Sequence, residues 1–153
     1  MNLIKLIEFP MFGDERGSLL SLEGNNNIPF EIKRVYYIFN TVKGISRGYH
    51  AHKALKQVAI AVSGSCRFVL DDGMVRSEII LDRPTKGLLI ESFMWREMHD
   101  FSEDCVLMVL ADQEYDESDY IRNYEDFLCL AREGANKSLG TKTHHSKLLI
   151  LNG

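Results

Sequence analysis

The sequence predicts an all-β sandwich or small barrel with one short helix near its C-terminal end. Three observations carry that expectation. Between Met1 and about Asp112 the chain runs as short segments rich in β-branched and aromatic residues. Gly, Asp-Asp-Gly or Arg-Pro-Thr-Lys-Gly stands between many of them. Near Glu114 the character changes, and apolar residues begin to recur at helical spacing.

The elements follow in order. LIKLIEF alternates and stops at Pro10, and GSLLSLEG is short and bounded by glycine. IKRVYYIFNTV carries the densest run of strand-favouring residues. QVAIAVSG, CRFVLDDG, MVRSEIILD, GLLIES and CVLMVLAD read as further strands. Asp72-Gly73, between CRFVL and MVRSEIIL, predicts a two-residue hairpin, because glycine accepts the positive φ of a type I′ turn. Ser118-Asp119 are expected to cap a helix through Tyr120, Ile121, Tyr124, Phe127 and Leu128 that ends by Gly134. The expected organisation is one domain over residues 1–134 and a polar, Lys-rich tail over 135–153. The tail's final LLIL, Leu148 to Leu151, is expected to pair with some other element.

Composition narrows the function. A chain of 153 residues defaults to one domain and can bury roughly two thirds of its unfolded surface. Its 45% hydrophobic and 26% charged residues are ordinary for a globular protein. A net charge of −4 argues against a general nucleic-acid binder, so an anionic ligand needs a local basic pocket. Cys66, Cys105 and Cys129 are odd in number and widely spaced, which suits a reducing compartment. The first residues lack the apolar run of a signal peptide, and no stretch is long and apolar enough to span a bilayer. A cytoplasmic address is expected.

The most chemically loaded stretch is RGYHAHK, Arg47 to Lys53. On a strand, His50 and His52 project from the same face. The wider pattern is G-x5-H-x-H-x4-Q-x6-G, through Gly44, His50, His52, Gln57 and Gly64. It resembles the first motif of the cupins, which are jelly-roll β-sandwiches. In that family an acid usually stands where Gln57 is, and a second motif supplies a third metal-binding histidine. Here Ile90 falls near that position. Two imidazoles without a carboxylate match neither a facial triad nor a three-ligand zinc site, so no metal and no cofactor are expected. Paired imidazoles on an inner face suit proton transfer instead, since an unperturbed histidine takes or gives a proton near neutral pH.

RVYYIFN, RGYHAHK, QVAIAVSG, MWREMHDFSEDCVLMVLAD and YDESDYIRNYEDFL, in that order, resemble the nucleotide-sugar 3,4-ketoisomerases over most of Ile7 to Leu128. The resemblance implies a metal-free shift of a hexose carbonyl from C4 to C3 of dTDP-4-keto-6-deoxyglucose. The intermediate is an enediol(ate), and the 3-keto product feeds 3-amino-3,6-dideoxyhexose synthesis through an aminotransferase. His50 is favoured as principal base and His52 as its partner, with the reverse order as the alternative. Tyr36 is preferred over Tyr37, from the family alignment, as donor to the enediolate. Arg16, Arg34, Arg47 and Arg96 are candidates for the diphosphate, Arg16 and Arg96 because they sit in matching blocks. Gln57 is expected to bind the substrate side of the site and to fix an imidazole's tautomer, with Met94 and Trp95 at an apolar mouth. The resemblance also implies a homodimer with exchanged N-terminal strands. Competing readings are a 3,5-epimerase on the same kind of substrate, a non-catalytic sugar-nucleotide binder and a metal-dependent cupin oxygenase.

Overall fold

The computed structural model describes residues 2–147. In chain order the strands begin with β1 (Lys5–Glu8), β2 (Phe12–Asp14), β3 (Gly17–Leu19), β4 (Arg34–Ile38), β5 (Arg47–His52) and β6 (Gln57–Ser63). They continue with β7 (Cys66–Asp71), β8 (Arg76–Leu81), β9 (Lys86–Ile90), β10 (Trp95–His99), β11 (Val106–Ala111) and β12 (Tyr120–Ile121). Helix α1 (Tyr124–Lys147) follows. One five-stranded sheet has the order β1-β9-β6-β11-β4, and the second has the order β12-β5-β10-β7-β8. The ladders within both sheets are antiparallel, which gives the expected two-sheet sandwich with a single helix.

The period-2 alternation of each strand decides what the two sheets share. Phe68, Leu70, Leu88, Ile90, Leu107 and Val109 meet in the core between them. β6 is buried on both faces: Ala59 and Ala61 join that core, while Val58 and Ile60 pack with Phe9, Ile28 and Phe30 in a second cluster. This is why QVAIAV reads as a continuous apolar run rather than an alternating one. A third cluster, Ala51, Trp95, Ile121 and Phe127, glues α1 to the other sheet. Burying a side chain such as Phe127 contributes about 1.5–3 kcal/mol.

Two sequence expectations give way here. The connection between β7 and β8 is not a two-residue type I′ turn. Asp71 pairs with Arg76, the loop spans residues 72–75, and only Gly73 in it takes a positive φ, of 92°. Both Asp72 Oδ1 and Asp71 Oδ1 accept backbone N–H bonds inside this loop, so the longer turn satisfies its own donors.

The helix starts later and runs further than its periodicity suggests. Glu117–Asp119 form one 3-10 turn, and Tyr120 and Ile121 pair as β12 with His52 and Ala51. Asn123, not Ser118, caps α1, its Oδ1 accepting the Asp126 N–H at 3.0 Å. The helix continues through Gly134 to Lys147. Leu148 to Leu151 lie outside the described residues.

Candidate active site

β5 and β10 build the centre of the site. Gly48 takes φ 91° and Tyr49 φ 59°, and the β5–β10 register shifts beside Arg96. A Cβ on Gly48 would stand 2.9 Å from the Arg96 carbonyl oxygen, so the bulge needs glycine. Beyond it β5 alternates regularly: Ala51 turns to the helix cluster and the two histidines turn the other way. Their rings meet edge to face with centroids 5.0 Å apart, and the Tyr120 ring covers both, at 5.0 Å from His50 and 4.3 Å from His52.

A cavity of about 580 Å³ opens over this cluster, a size that accommodates a small ligand. Arg34, Tyr36, Ser46, Arg47, His50, Tyr120 and Arg122 are among the residues that line it. Three guanidinium groups thus converge on one opening in a chain of net charge −4, the local basic pocket that an anionic ligand requires. Arg122 stacks over Tyr120 at 4.1 Å from the ring centroid and is bonded by Glu117 at 2.8 Å.

The two histidines differ. His50 lines the cavity and is half-buried. Burial, helped by the positive charge of Arg96, pushes its pKa down to about 4, so the ring is neutral at neutral pH. His52 is only 1% exposed and lies behind His50. Its Nδ1 meets Asp119 Oδ2 at 3.2 Å, while the same carboxylate accepts backbone N–H bonds from Ala54 at 2.9 Å and Leu55 at 3.3 Å. Burial first, and then the charge of Arg96, lowers the His52 pKa and keeps it neutral. A neutral ring donating Nδ1–H to Asp119 leaves Nε2 as an acceptor, and that atom has no partner among the described residues.

Behind the histidines runs a second chain of hydrogen bonds. Arg96, 2% exposed, stands opposite His50 in the β5–β10 ladder. It donates to Met94 O at 2.9 Å and to Gln57 Oε1. Gln57 Nε2 donates to Tyr36 Oη at 3.0 Å. Arginine can only donate, so it fixes which end of the Gln57 amide faces Tyr36. Tyr36 Oη therefore accepts from Gln57 and keeps its own hydrogen for an acceptor in the cavity. Burial pushes the Tyr36 pKa up, against the opposing charge of Arg96, which keeps the phenol protonated. Burial pushes Arg96 down to about 10, still a cation at neutral pH.

The geometry sorts the candidate residues. Tyr36, Arg34, Arg47 and His50 line the cavity together, and Tyr37 points to the exposed face of β4. His52, Gln57 and Arg96 form a buried layer behind them. Gln57 bonds Arg96 and Tyr36 rather than an imidazole, because Asp119 already holds His52. Trp95 does not stand at a mouth: it lies on the helix-facing side of β10, against Phe127 at 5.7 Å between centroids. Met94 packs at the border of the inter-sheet core. Arg16 is absent from this cavity; it sits on the β2–β3 hairpin, 85% exposed and paired with Asp14. Among the described residues no group of three His, Cys, Asp or Glu side chains is placed to hold a metal ion, and Ile90 is packed in the core.

Sequence reasoning missed Asp119, Tyr120, Arg122, Tyr115 and Ser46. A strand reading of Tyr120-Ile121-Arg122 would have put Tyr120 and Arg122 on one face and Ile121 on the other. The helical reading of the same stretch hid that.

A two-sheet jelly roll with a basic, histidine-bearing pocket defines a cupin-type site for a small anionic ligand. Residues 2–132 match the family model described as FdtA: WxcM-like, C-terminal. A TDP-4-oxo-6-deoxy-alpha-D-glucose-3,4-oxoisomerase of Aneurinibacillus thermoaerophilus is 57% identical over 123 residues, 80% of this chain and 88% of that protein. A 3,4-ketoisomerase of Helicobacter canadensis superposes with TM-score 0.83 at 48% identity, over 86% of this chain and 99% of its own. A histidine-to-asparagine variant of the 3,4-ketoisomerase QdtA of Thermoanaerobacterium thermosaccharolyticum was solved with TDP-4-keto-6-deoxyglucose. It superposes with TM-score 0.83 at 47% identity, over 85% of this chain and 94% of its own. The chain belongs to the FdtA/WxcM-like family, and its relatives within it are sugar-nucleotide 3,4-ketoisomerases.

Proposed function

We propose that this chain converts TDP-4-keto-6-deoxyglucose to its 3-keto isomer. The observation that carries the reading is a neutral His50 at the wall of a basic cavity, beside a Tyr36 hydroxyl whose hydrogen is free to point inward. His50 takes the proton from C3. Tyr36 donates toward the C4 oxygen, which becomes a hydroxyl as the enediol(ate) forms. The C3 hydroxyl then gives up its hydrogen to become the ketone, and C4 receives a proton. Two hydrogens change place and no electrons enter or leave, so the sugar carbons exchange oxidation level within one molecule.

His52, tied to Asp119, supports His50 from behind. The buried Arg96 charge favours negative charge on the enediolate, as preorganised positive groups do in a dry site. Arg34, Arg47 and Arg122 hold the diphosphate. The product is a substrate for an aminotransferase acting at C3, in the supply of a deoxyamino sugar for a surface glycan, and the place of action is the cytoplasm.

The same reading includes a homodimer. β1 pairs with β9 of its own chain. The β2–β3 hairpin, however, pairs with no other strand among the described residues and leaves Phe12 and Leu19 more than half exposed. A second copy that receives this hairpin would cover that apolar surface and bring Arg16 to the neighbouring cavity.

The test is incubation with TDP-4-keto-6-deoxyglucose, a PLP-dependent 3-aminotransferase and its amino donor. A 3-amino sugar is expected; unchanged substrate overturns the reading. In deuterium oxide, label at C4 of the 3-keto product marks the isomerase, whereas label at C3 and C5 of a 4-keto product marks a 3,5-epimerase.

A further inference from the structure

A polar chain on the outer side of β10 reaches the cavity, and the mechanism above does not use it. Ser46, which lines the cavity, lies with Oγ 2.8 Å from His99 Nδ1. His99 Nε2 lies 2.9 Å from Glu97 Oε2. Glu97 Oε1 in turn accepts from Arg76 Nη2 at 3.1 Å and from Trp95 Nε1 at 3.2 Å. The edge of the Tyr49 ring closes the other side of His99, with centroids 5.9 Å apart.

The polarity of this chain follows from its outer end. Burial pushes the Glu97 carboxyl up, but the bonds from His99, Trp95 and Arg76 outweigh it and hold the group below its ordinary value. Glu97 is thus an ionised, acceptor-only group on both oxygens. It requires a hydrogen on His99 Nε2. In the tautomer that carries its one ring hydrogen on Nε2, Nδ1 is an acceptor and takes the Ser46 hydroxyl hydrogen. With His99 in that tautomer, Ser46 shows its lone pairs to the cavity.

We propose that Ser46 is a specificity residue that accepts a hydrogen bond from a donor group of the bound nucleotide sugar, and that His99 and Glu97 are positioning residues that set its polarity. The cavity's other polar walls are rich in donors: three arginines and the Tyr36 hydroxyl all reward acceptor atoms on the ligand. Ser46 is the complement, a place where a ligand hydroxyl or imide N–H is read. An otherwise similar ligand without that donor leaves the Ser46 lone pairs unpaired and binds less well. This assignment rests on the ketoisomerase reading for the identity of the ligand, but not on the roles of the catalytic groups.

The experiment uses the full chain and two probes, TDP by calorimetry and TDP-4-keto-6-deoxyglucose by steady-state kinetics. Ser46→Ala is expected to raise the TDP Kd or the substrate KM by about 3- to 10-fold, the size of one net hydrogen bond, with kcat held. Ser46→Thr, which keeps the hydroxyl, restores it. TDP analogues lacking the 3′-hydroxyl or methylated at the imide nitrogen locate the donor, since the analogue that has lost it no longer distinguishes Ser46→Ala from the parent. A change in substrate KM with TDP binding intact places the donor on the hexose. His99→Phe keeps the ring against Tyr49 and removes the acceptor; it should weaken binding, and the double variant should be no weaker than Ser46→Ala alone. Unchanged Kd and KM in Ser46→Ala, or a fall in kcat alone, overturns the proposal, as does failure of Ser46→Thr to restore binding. If His99→Phe does not fold, the Ala and Thr pair at Ser46 still decides. A parent enzyme that yields no 3-keto sugar strikes the ketoisomerase reading itself, while TDP affinity still reports on Ser46.

Discussion

His50 and His52 are separated by one alanine and share a face, yet their surroundings give them different work. His50 meets the cavity; His52 meets Asp119 in a place nearly closed to water. With His50 pushed down to about 4 from an ordinary 6.5, the neutral form that its proposed role as base needs persists well into acid. The acid limb of kcat/KM is therefore expected near pH 4 rather than 6.5, in a pH–rate profile taken with a stability control. That control matters because stability moves as well. Above about pH 6.5 the ring is neutral in both folded and unfolded chains. Below it the unfolded chain binds a proton that the folded chain refuses until about pH 4, so stability falls through that window. His50→Asn should leave the melting temperature near that of the parent, lose the pH dependence of this group and lower kcat by about 10²–10⁴-fold.

Gln57 is the residue whose role the sequence misplaced, and the reason is local. Its spacing placed it where cupins carry a metal-binding acid, but spacing along a strand does not say which neighbour a side chain meets. Arg96 crosses from the adjacent layer and takes its carbonyl, which leaves the amide nitrogen for Tyr36. Gln57→Glu is expected to lower kcat by about 10²-fold, because a carboxylate beside Arg96 can only accept and would draw the Tyr36 hydrogen away from the cavity. Steady-state kinetics beside the parent check this. An unchanged kcat would separate Tyr36 from the chemistry.

At the scale of elements, strands with strong alternation or continuous apolar runs were legible: β4, β6, β7, β8 and β11 fall within the segments expected for them, and β9 starts one residue before its own, at Lys86. β10 and β12 were not read as strands. WREMH carries charge on its inner face because Arg96 is buried among neutral acceptors, so its pattern violates the usual alternation. Tyr120-Ile121 is too short to show a period at all, and only the free edge of β5 makes it a strand. The bulge at Gly48-Tyr49 likewise depends on a neighbour, since it is the Arg96 carbonyl that leaves no room for a Cβ. Gly48→Ala combines that contact with a left-handed φ of 91°. It should cost about 1–3 kcal/mol, read as a lower melting temperature, and should lower kcat by tilting His50.

For the whole molecule, the proposed homodimer is the part of the reading that exposed apolar side chains can test. Val35 and Tyr37 on β4, Phe39 just after it, and Phe12 and Leu19 on the hairpin are all more than half exposed, and apolar side chains left in water favour a partner surface that covers them. If the proposed dimer forms through the hairpin, Leu19→Asp is expected to give monomer where the parent gives dimer by analytical ultracentrifugation, while leaving the melting of each sandwich cooperative. If the parent itself sediments as a monomer at micromolar concentration, the exchanged hairpin is excluded. Among the described residues no helix is long and apolar enough to cross a membrane.

What the sequence by itself determined was the sandwich, its apolar strands and the paired imidazoles, because these follow from periods of two residues and from composition, which are local properties. Tertiary structure alone decided which histidine sees the cavity, that Asp119 and Tyr120 complete the pair, and that Arg96 speaks to Tyr36 through Gln57. Each of those depends on residues 20 to 70 positions apart being pressed together by two sheets, and burial then sets their charge. No reading along a single strand contains that contact.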